Sequence, residues 1–307
     1  MRHLLVLICI LCLKCKVDSP VVSFQTRNLV IVIMDGPRWT ETFGEPTMQY
    51  IPGMKNLVNQ ATLFTNFRND GPTRTTNGHT AISTGVYQEI DNGGQELPDH
   101  PGMFQRWIAA NKKDNSSAWI ISSKDKLEVL KNCKDPSWQN LYMPRTNCGN
   151  NGLATGHRMD TTTFRKAKEI LSEYHPALSW ISFKEPDVAG HANNWNNYLQ
   201  GIRDVDNYIV AIWNFIQSDP HYSDKTTMVV TNDHGRHLNS VADGFVSHGD
   251  YCEGCKHIML FVIGPDTPKG KVISDTYGMT DLHASIISLM GIDNPVASGQ
   301  IIPGLFE

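Results

Sequence analysis

No stretch of this 307-residue chain is dense in lysine or arginine, and 27 basic against 31 acidic side chains leave a net charge of −4. Nucleic acid is thereby excluded as the main partner, because duplex and single-stranded phosphates call for a basic face. Small anions stay open, since bound cations can reverse the field locally. Internal repeats and low-complexity tracts are absent too, which sets aside solenoids and disordered tails. The N-terminal apolar run, residues 4–13, has only ten residues, half of the roughly 20 that a spanning helix needs. Following the basic start Met1-Arg2-His3, it reads as a secretory signal peptide over residues 1–16, and the chain as exported to a periplasm, cell surface or medium. Cys15 offers the alternative of a lipid anchor, the one membrane association expected.

What is present is an ordinary globular composition, 40% hydrophobic and 19% charged, in a length that suits one large α/β domain over residues 25–307. Past the leader four cysteines remain, Cys133, Cys148, Cys252 and Cys255. An even number in an exported chain suggests disulfides, Cys133 with Cys148 and Cys252 with Cys255. The C-x-x-C at Cys252 resembles half of a zinc site, but no further ligands for it are evident in the sequence.

Residues 28–34 (NLVIVIM) form an unbroken apolar run of the kind a strand covered on both faces requires. Similar runs occupy 117–121, 178–183, 226–231 and 257–263. Helical patterns fall between them at 103–110, 162–174, 198–217 and 281–290. In the third of these, Tyr198, Ile202, Val205, Ile209, Ile212 and Ile216 recur at three- and four-residue spacing and give one apolar face. The alternation predicts an α/β fold with a mostly parallel central sheet and helices on both faces. Residues 86–178, rich in Asn, Gly and Lys, are expected to hold an insertion over the site.

Polar residues of metal-binding type cluster just after these strands, at the carboxyl edge where open α/β sheets bind ligands. Asp35 follows the first run, Asp187-x-x-x-His191 the third and Asp233-His234 the fourth. A carboxylate and an imidazole four residues apart can hold one ion, and adjacent Asp and His can bracket another. His248 enters because one Asp and one His leave such a site short of a third protein ligand. Between these lies a threonine-rich loop, 71–85, running into a helix. Thr75 or Thr76 at its start would have its hydroxyl acidified by a metal and by the helix N-terminus, although either suits a plain N-cap equally well.

The order of these motifs resembles the alkaline phosphatase superfamily, closest to its type I phosphodiesterase/nucleotide pyrophosphatase branch. The carriers are Asp35 after a strand, Pro72-Thr73-Arg74-Thr75 four residues before His79, Asp187-x-x-Gly190-His191, Asp233-His234-Gly235 and His248-Gly249. The resemblance spans residues 28–289 and implies a three-layer fold and a hydrolase of phosphoric esters acting on small molecules. It implies Thr75 as nucleophile and two divalent ions, zinc. One would be held by Asp187, His191 and His248, the other by Asp35, Asp233 and His234 with Thr75 facing it. Arg74 departs from the usual Lys, and Thr76-Asn77-Gly78 from an aromatic-Pro-Asn run. The substrate-binding Asn of the family has its nearest counterpart in Asn92.

Alternatives within the superfamily are a phosphomonoesterase, for which Lys184, Arg158 and Arg74 could neutralise the dianion, a sulfatase and a phosphomutase. The sulfatase needs a Cys/Ser-x-Pro-x-Arg motif, which the sequence lacks, and the phosphomutase would normally be cytosolic. A non-catalytic, metal-stabilised binding protein would have lost ligands that this chain keeps.

Overall fold

The computed structural model describes residues 23–307; the expected signal peptide and Cys15 lie outside the described residues. Among the described residues nine strands form one sheet. In chain order they are β1 (Asn28–Asp35), β2 (Thr62–Arg68), β3 (Ala118–Ser122), β4 (Arg145–Cys148), β5 (Leu178–Pro186), β6 (Thr226–Thr231), β7 (His257–Ile263), β8 (Lys271–Ile273) and β9 (Tyr277–Gly278). Their spatial order is β4-β3-β5-β1-β6-β7-β2-β8, with β9 also on β2. From β4 to β6 every pairing is parallel. Only β7 runs against both its neighbours.

All eight residues of β1 are buried, because both faces of the sheet are covered. Leu29, Ile31 and Ile33 enter one apolar layer with α2 (Thr75–Thr84), α3 (Met103–Asn111) and α8 (Met279–Leu289). Val30, Val32 and Met34 enter the other with α1 (Pro52–Leu57), α4 (Asp160–Tyr174) and α6 (Trp195–Ser218). The six apolar residues noted on α6 are all fully buried, so its 3.6-residue stripe is what seats it on the sheet. Asn194 starts that helix by accepting the Asn197 amide at 3.0 Å, an N-cap that satisfies one orphan donor. Two more helices are short, α5 (Asp187–His191) and α7 (Glu253–Lys256).

Residues 86–178, expected to hold an insertion, supply α3, β3, β4 and α4, parts of the helical layers and of the sheet. The expected disulfides are not formed: all four described cysteines are free thiols. Cys148 is buried at the end of β4, with its Sγ 3.6 Å from the Ile120 carbonyl of the neighbouring strand, whereas Cys133 follows a separate 3-10 turn. Cys252 and Cys255 do sit together, the first as N-cap of α7 and the second within it.

Candidate active site

Four adjacent parallel strands, β3, β5, β1 and β6, end on the same edge of the sheet, and each delivers a charged group there. Asp35 closes β1. β5 ends at Pro186, and Asp187 opens α5 directly after it. Asp233 and His234 follow β6, and Lys124 follows β3. The register of β1 slips between Met34 and Asp35, which pairs Asp35 with Pro186 and sets the two carboxylates side by side. From above, α2 points its N-terminus into the cluster with Thr75 as first residue. That close approach depends on Gly78, where a Cβ would collide with the Asp233 carbonyl oxygen.

The acid and imidazole groups fall into two sets. In the first, His234 Nε2 lies 3.4 Å from Asp233 Oδ2 and 3.6 Å from Asp35 Oδ1. All three side chains are fully buried. His234 turns its Nδ1 to the Gly235 carbonyl at 2.9 Å, which fixes the tautomer and leaves the Nε2 lone pair facing the carboxylates. That Nε2, Asp35 Oδ1 and Asp233 Oδ2 have no hydrogen-bond partner, and Asp35 Oδ2 meets only the Lys124 ammonium. Buried polar atoms are almost always satisfied, so three orphans converging on one point fit a cation among them. In the second set, Asp187 Oδ1, His191 Nε2 and His248 Nε2 form a triangle with sides of 3.3, 3.4 and 3.0 Å. Tetrahedral zinc with bonds of ~2.0–2.1 Å sets its ligands roughly 3.4 Å apart, so this triangle also fits an ion. His248 donates Nδ1–H to the Thr73 carbonyl at 2.7 Å, and the rings of His234 and His248 stack at 3.7 Å, so the sets adjoin. Every acid and imidazole named from the sequence thus lies at this edge.

Two cations went unnoticed in the sequence. Lys124 is buried, with its Nζ 2.8 Å from Asp35, 2.7 Å from Asp187 and 3.2 Å from Thr75 Oγ1. Arg236, wholly buried, donates to Asp187 Oδ1 and to the carbonyls of Phe245 and Val246. A lysine two residues beyond a buried strand, and an arginine directly after Asp-His-Gly, were the available signals. Each was readable only once the other strands had been placed beside it.

Charge explains the titration of the cluster. Three buried carboxylates meet two fixed cations, one positive charge short. Burial and the neighbouring Asp233 push Asp35 well above the usual carboxylate range. Asp187 and Asp233 are also penalised by burial, yet the first is held low by Lys124 and the second by His234 and His79. Burial opposes a charged Lys124, but Asp187 and Asp35 outweigh it and hold the ammonium above its ordinary range. Burial lowers His234 to about 3, so its imidazole is neutral at pH 7, the state a metal requires.

Asn92 stands at the rim, where its Oδ1 accepts from the Thr76 amide and from Lys126 Nζ, both at 3.0 Å. Burial lowers Lys126 to about 8. Of the basic residues named for a dianion, Arg158 is committed to Thr163 and Asn147. Lys184 is paired with Glu185 at 2.8 Å. Arg74 is half-exposed beside Glu89. The basic groups at the carboxylates are instead Lys124 and Arg236, with Lys126 near the helix start.

Sheet order, layering and a polar cluster at the carboxyl edge define an alkaline-phosphatase-like hydrolase fold. The chain belongs to the Sulfatase family, whose model matches residues 27–292. Among solved structures it is similar to an alkaline phosphatase superfamily protein from Vibrio parahaemolyticus. That match has 14% identity and a TM-score of 0.66, over 91% of this chain and 70% of the other. It is also similar to an inactive murine ectonucleotide pyrophosphatase/phosphodiesterase 5 in complex with AMP, at 14% identity, TM-score 0.66, 92% and 100% coverage. A third is BT4656 in complex with its substrate D-glucosamine-2-N,6-O-disulfate, at 12% identity, TM-score 0.70, 92% and 80% coverage. No curated protein matches the chain by sequence.

Proposed function

We propose that the chain is an exported hydrolase of phosphoric esters, of the phosphodiesterase/nucleotide pyrophosphatase kind, with Thr75 as its nucleophile. Two divalent ions, zinc, would be held by Asp35, Asp233 and His234 and by Asp187, His191 and His248. The observation that carries this reading is the placement of Thr75 Oγ1. Thr75 opens a ten-residue helix, and its Oγ1 lies 3.2 Å from a buried ammonium that also contacts one carboxylate of each set, Asp35 and Asp187. Ions bound there would supply Lewis-acid charge and lower the pKa of an oxygen nucleophile.

The chain's own groups account for the rest. Lys124 keeps a positive charge beside the attacking oxygen and stabilises its anion. The α2 N-terminus, where Arg74 makes no side-chain cap, adds a favourable dipole. His79 holds the first turn, with its Nδ1 2.9 Å from the Thr75 carbonyl and its Nε2 3.1 Å from Ser182 Oγ. Oγ1 bonds to phosphorus as the ester P–O bond breaks; the hydroxyl proton leaves to solvent and the departing alkoxide is protonated by water. Water then attacks the phosphothreonine, which breaks the Oγ1–P bond and restores the hydroxyl.

A sulfate-ester reading is favoured by the family and by the sulfated ligand of BT4656. Against it, the helix starts with a threonine and not with a cysteine or serine open to conversion. The test is a panel of nitrophenyl phosphodiester, phosphomonoester and sulfate on the zinc-loaded protein, with Thr75→Ala alongside. The diester should turn over fastest, and the variant should lose about 10³-fold or more. Undiminished turnover by the variant removes Thr75 as nucleophile; a preference for the sulfate removes the substrate class.

A further inference from the structure

Apart from the two sets at the sheet edge, a third group of metal-binding side chains lies close by. One donor atom each from His237, Asp250, Cys252 and Cys255 come within 4.8 Å of one another. The sequence shows only the Cys-x-x-Cys half, and folding brings the missing pair to it. We propose that His237, Asp250, Cys252 and Cys255 bind a zinc-class divalent ion at a structural site that fastens the segment carrying His248.

Donor chemistry supports this assignment. Two sulfurs, one imidazole nitrogen and one carboxylate oxygen make a four-coordinate set of the kind zinc takes in closed sites, and Cys-x-x-Cys is a spacing such sites use. The cysteines flank the start of α7, where the Cys255 amide donates to the Cys252 carbonyl at 3.1 Å. Asp250 uses Oδ1 to accept the Cys252 amide at 2.9 Å, which leaves Oδ2 turned to His237 Nε2 at 3.1 Å.

The surroundings of His237 match those of a bound imidazole. Its other nitrogen, Nδ1, lies 2.9 Å from Asp243 Oδ1, and Ser247 Oγ holds that carboxylate oxygen at 2.6 Å. A carboxylate behind a ligating imidazole fixes its tautomer and raises its basicity. Among the described residues no lysine or arginine pairs with Asp243 or Asp250, and His237 is the only basic side chain that either meets. The group therefore gathers two carboxylates and two thiols with no fixed cation. Burial raises both thiols, so taking up an ion would displace their protons. His237 and Cys255 are buried while Asp250 is exposed, which gives an ion a way in.

The location gives the site a role. The chain leaves β6, makes an excursion through His248 and returns to β7. At the base of that excursion, the Gly235 amide donates to the Cys255 carbonyl at 2.8 Å. Thr73, two residues before the proposed nucleophile, donates its hydroxyl to the Asp250 carbonyl at 2.5 Å. An ion at this point would pin the loop on which His248 rides.

The experiment is zinc K-edge absorption and metal analysis on the unaltered protein, purified without chelator, together with a thiol count before and after reduction. A sulfur shell at ~2.3 Å is expected beside nitrogen and oxygen at ~2.0–2.1 Å. The variant with Cys252→Ser and Cys255→Ser should lose that shell and one equivalent of zinc. Because neither set at the sheet edge contains sulfur, the shell reports on this site alone, whatever becomes of the esterase reading. A zinc spectrum without sulfur overturns the proposal, as does a Cys252–Cys255 disulfide in the unreduced protein. The shell is read in the unaltered chain, so the test holds even where the variant misfolds.

Discussion

Replacing Lys124 by methionine would separate the contribution of this ammonium to the folded state from its contribution to chemistry. The substitution keeps the length of the stem and removes a charge lodged between Asp35 and Asp187. Breaking a buried pair by deleting one partner costs about 3–5 kcal/mol, since the partner charge stays buried and uncompensated. At this chain length roughly 2 °C of melting temperature goes with each kcal/mol, so metal-free protein should melt about 6–10 °C lower. With ions loaded, the carboxylates have other cations, and the loss should shrink to the about 1–3 kcal/mol of a missing hydrogen-bond partner. Activity should behave differently. A charged donor beside the developing anion contributes about 2.7–4 kcal/mol, so kcat should fall 10²–10³-fold even in the loaded variant. Calorimetry on metal-free and zinc-loaded pairs, followed by diester kinetics, reads both. An equal melting shift in the two states, or none in either, would refute the charge argument; unchanged kcat would refute the role beside Thr75.

Gly78→Ala should be far costlier than an ordinary helix substitution, because the added methyl meets the Asp233 backbone and not a movable side chain. Thermal melts should show a loss of about 2 kcal/mol or more, and zinc affinity should weaken as Asp233 is displaced. His283 predicts a pH dependence of stability. It is buried between α8 and α2 with Nδ1–H on the Ile82 carbonyl at 2.9 Å, and burial lowers its pKa to about 4. Its unfolded value is near 6.5, so the unfolded chain binds the extra proton first. Stability from this residue is therefore full above pH ~6.5 and falls by about 3 kcal/mol as the pH drops towards 4. Urea titrations of the wild type and His283→Gln across that window should converge at low pH; parallel curves would count against the assignment.

The sequence was most readable where burial is complete. β6 and β7 span the apolar runs at 226–231 and 257–263 residue for residue, and the helix stripe from Tyr198 to Ile216 lies inside α6. β2, with its mixed Thr-Leu-Phe-Thr-Asn-Phe-Arg, and the short β4, β8 and β9 carried no such pattern, since they owe their pairing to neighbours and not to their own hydrophobicity. Asp35, Asp187, Asp233 and His234 were visible because each stands just after a readable strand, and His191 through its spacing from Asp187, whereas His248 entered only as the third ligand a site with one Asp and one His lacks. Lys124 stood in the same relation to β3, but a lysine beyond a strand is usually solvated, and only the convergence of four strand ends shows this one to be buried. His237 and Asp250 were hidden for a related reason: they flank His248 on an irregular segment, so nothing in their spacing announces that they meet the two cysteines.

The reversed direction of β7 has a consequence for how this architecture can diversify. Because β7 runs opposite to β6, the connection between them leaves and re-enters the sheet at one rim and needs no crossover. Its length can grow or shrink at little entropic cost, without disturbing the hydrophobic layers beneath. Descendants of this scaffold could thus remodel the roof over their reaction centre by insertion or deletion while the floor stayed unchanged.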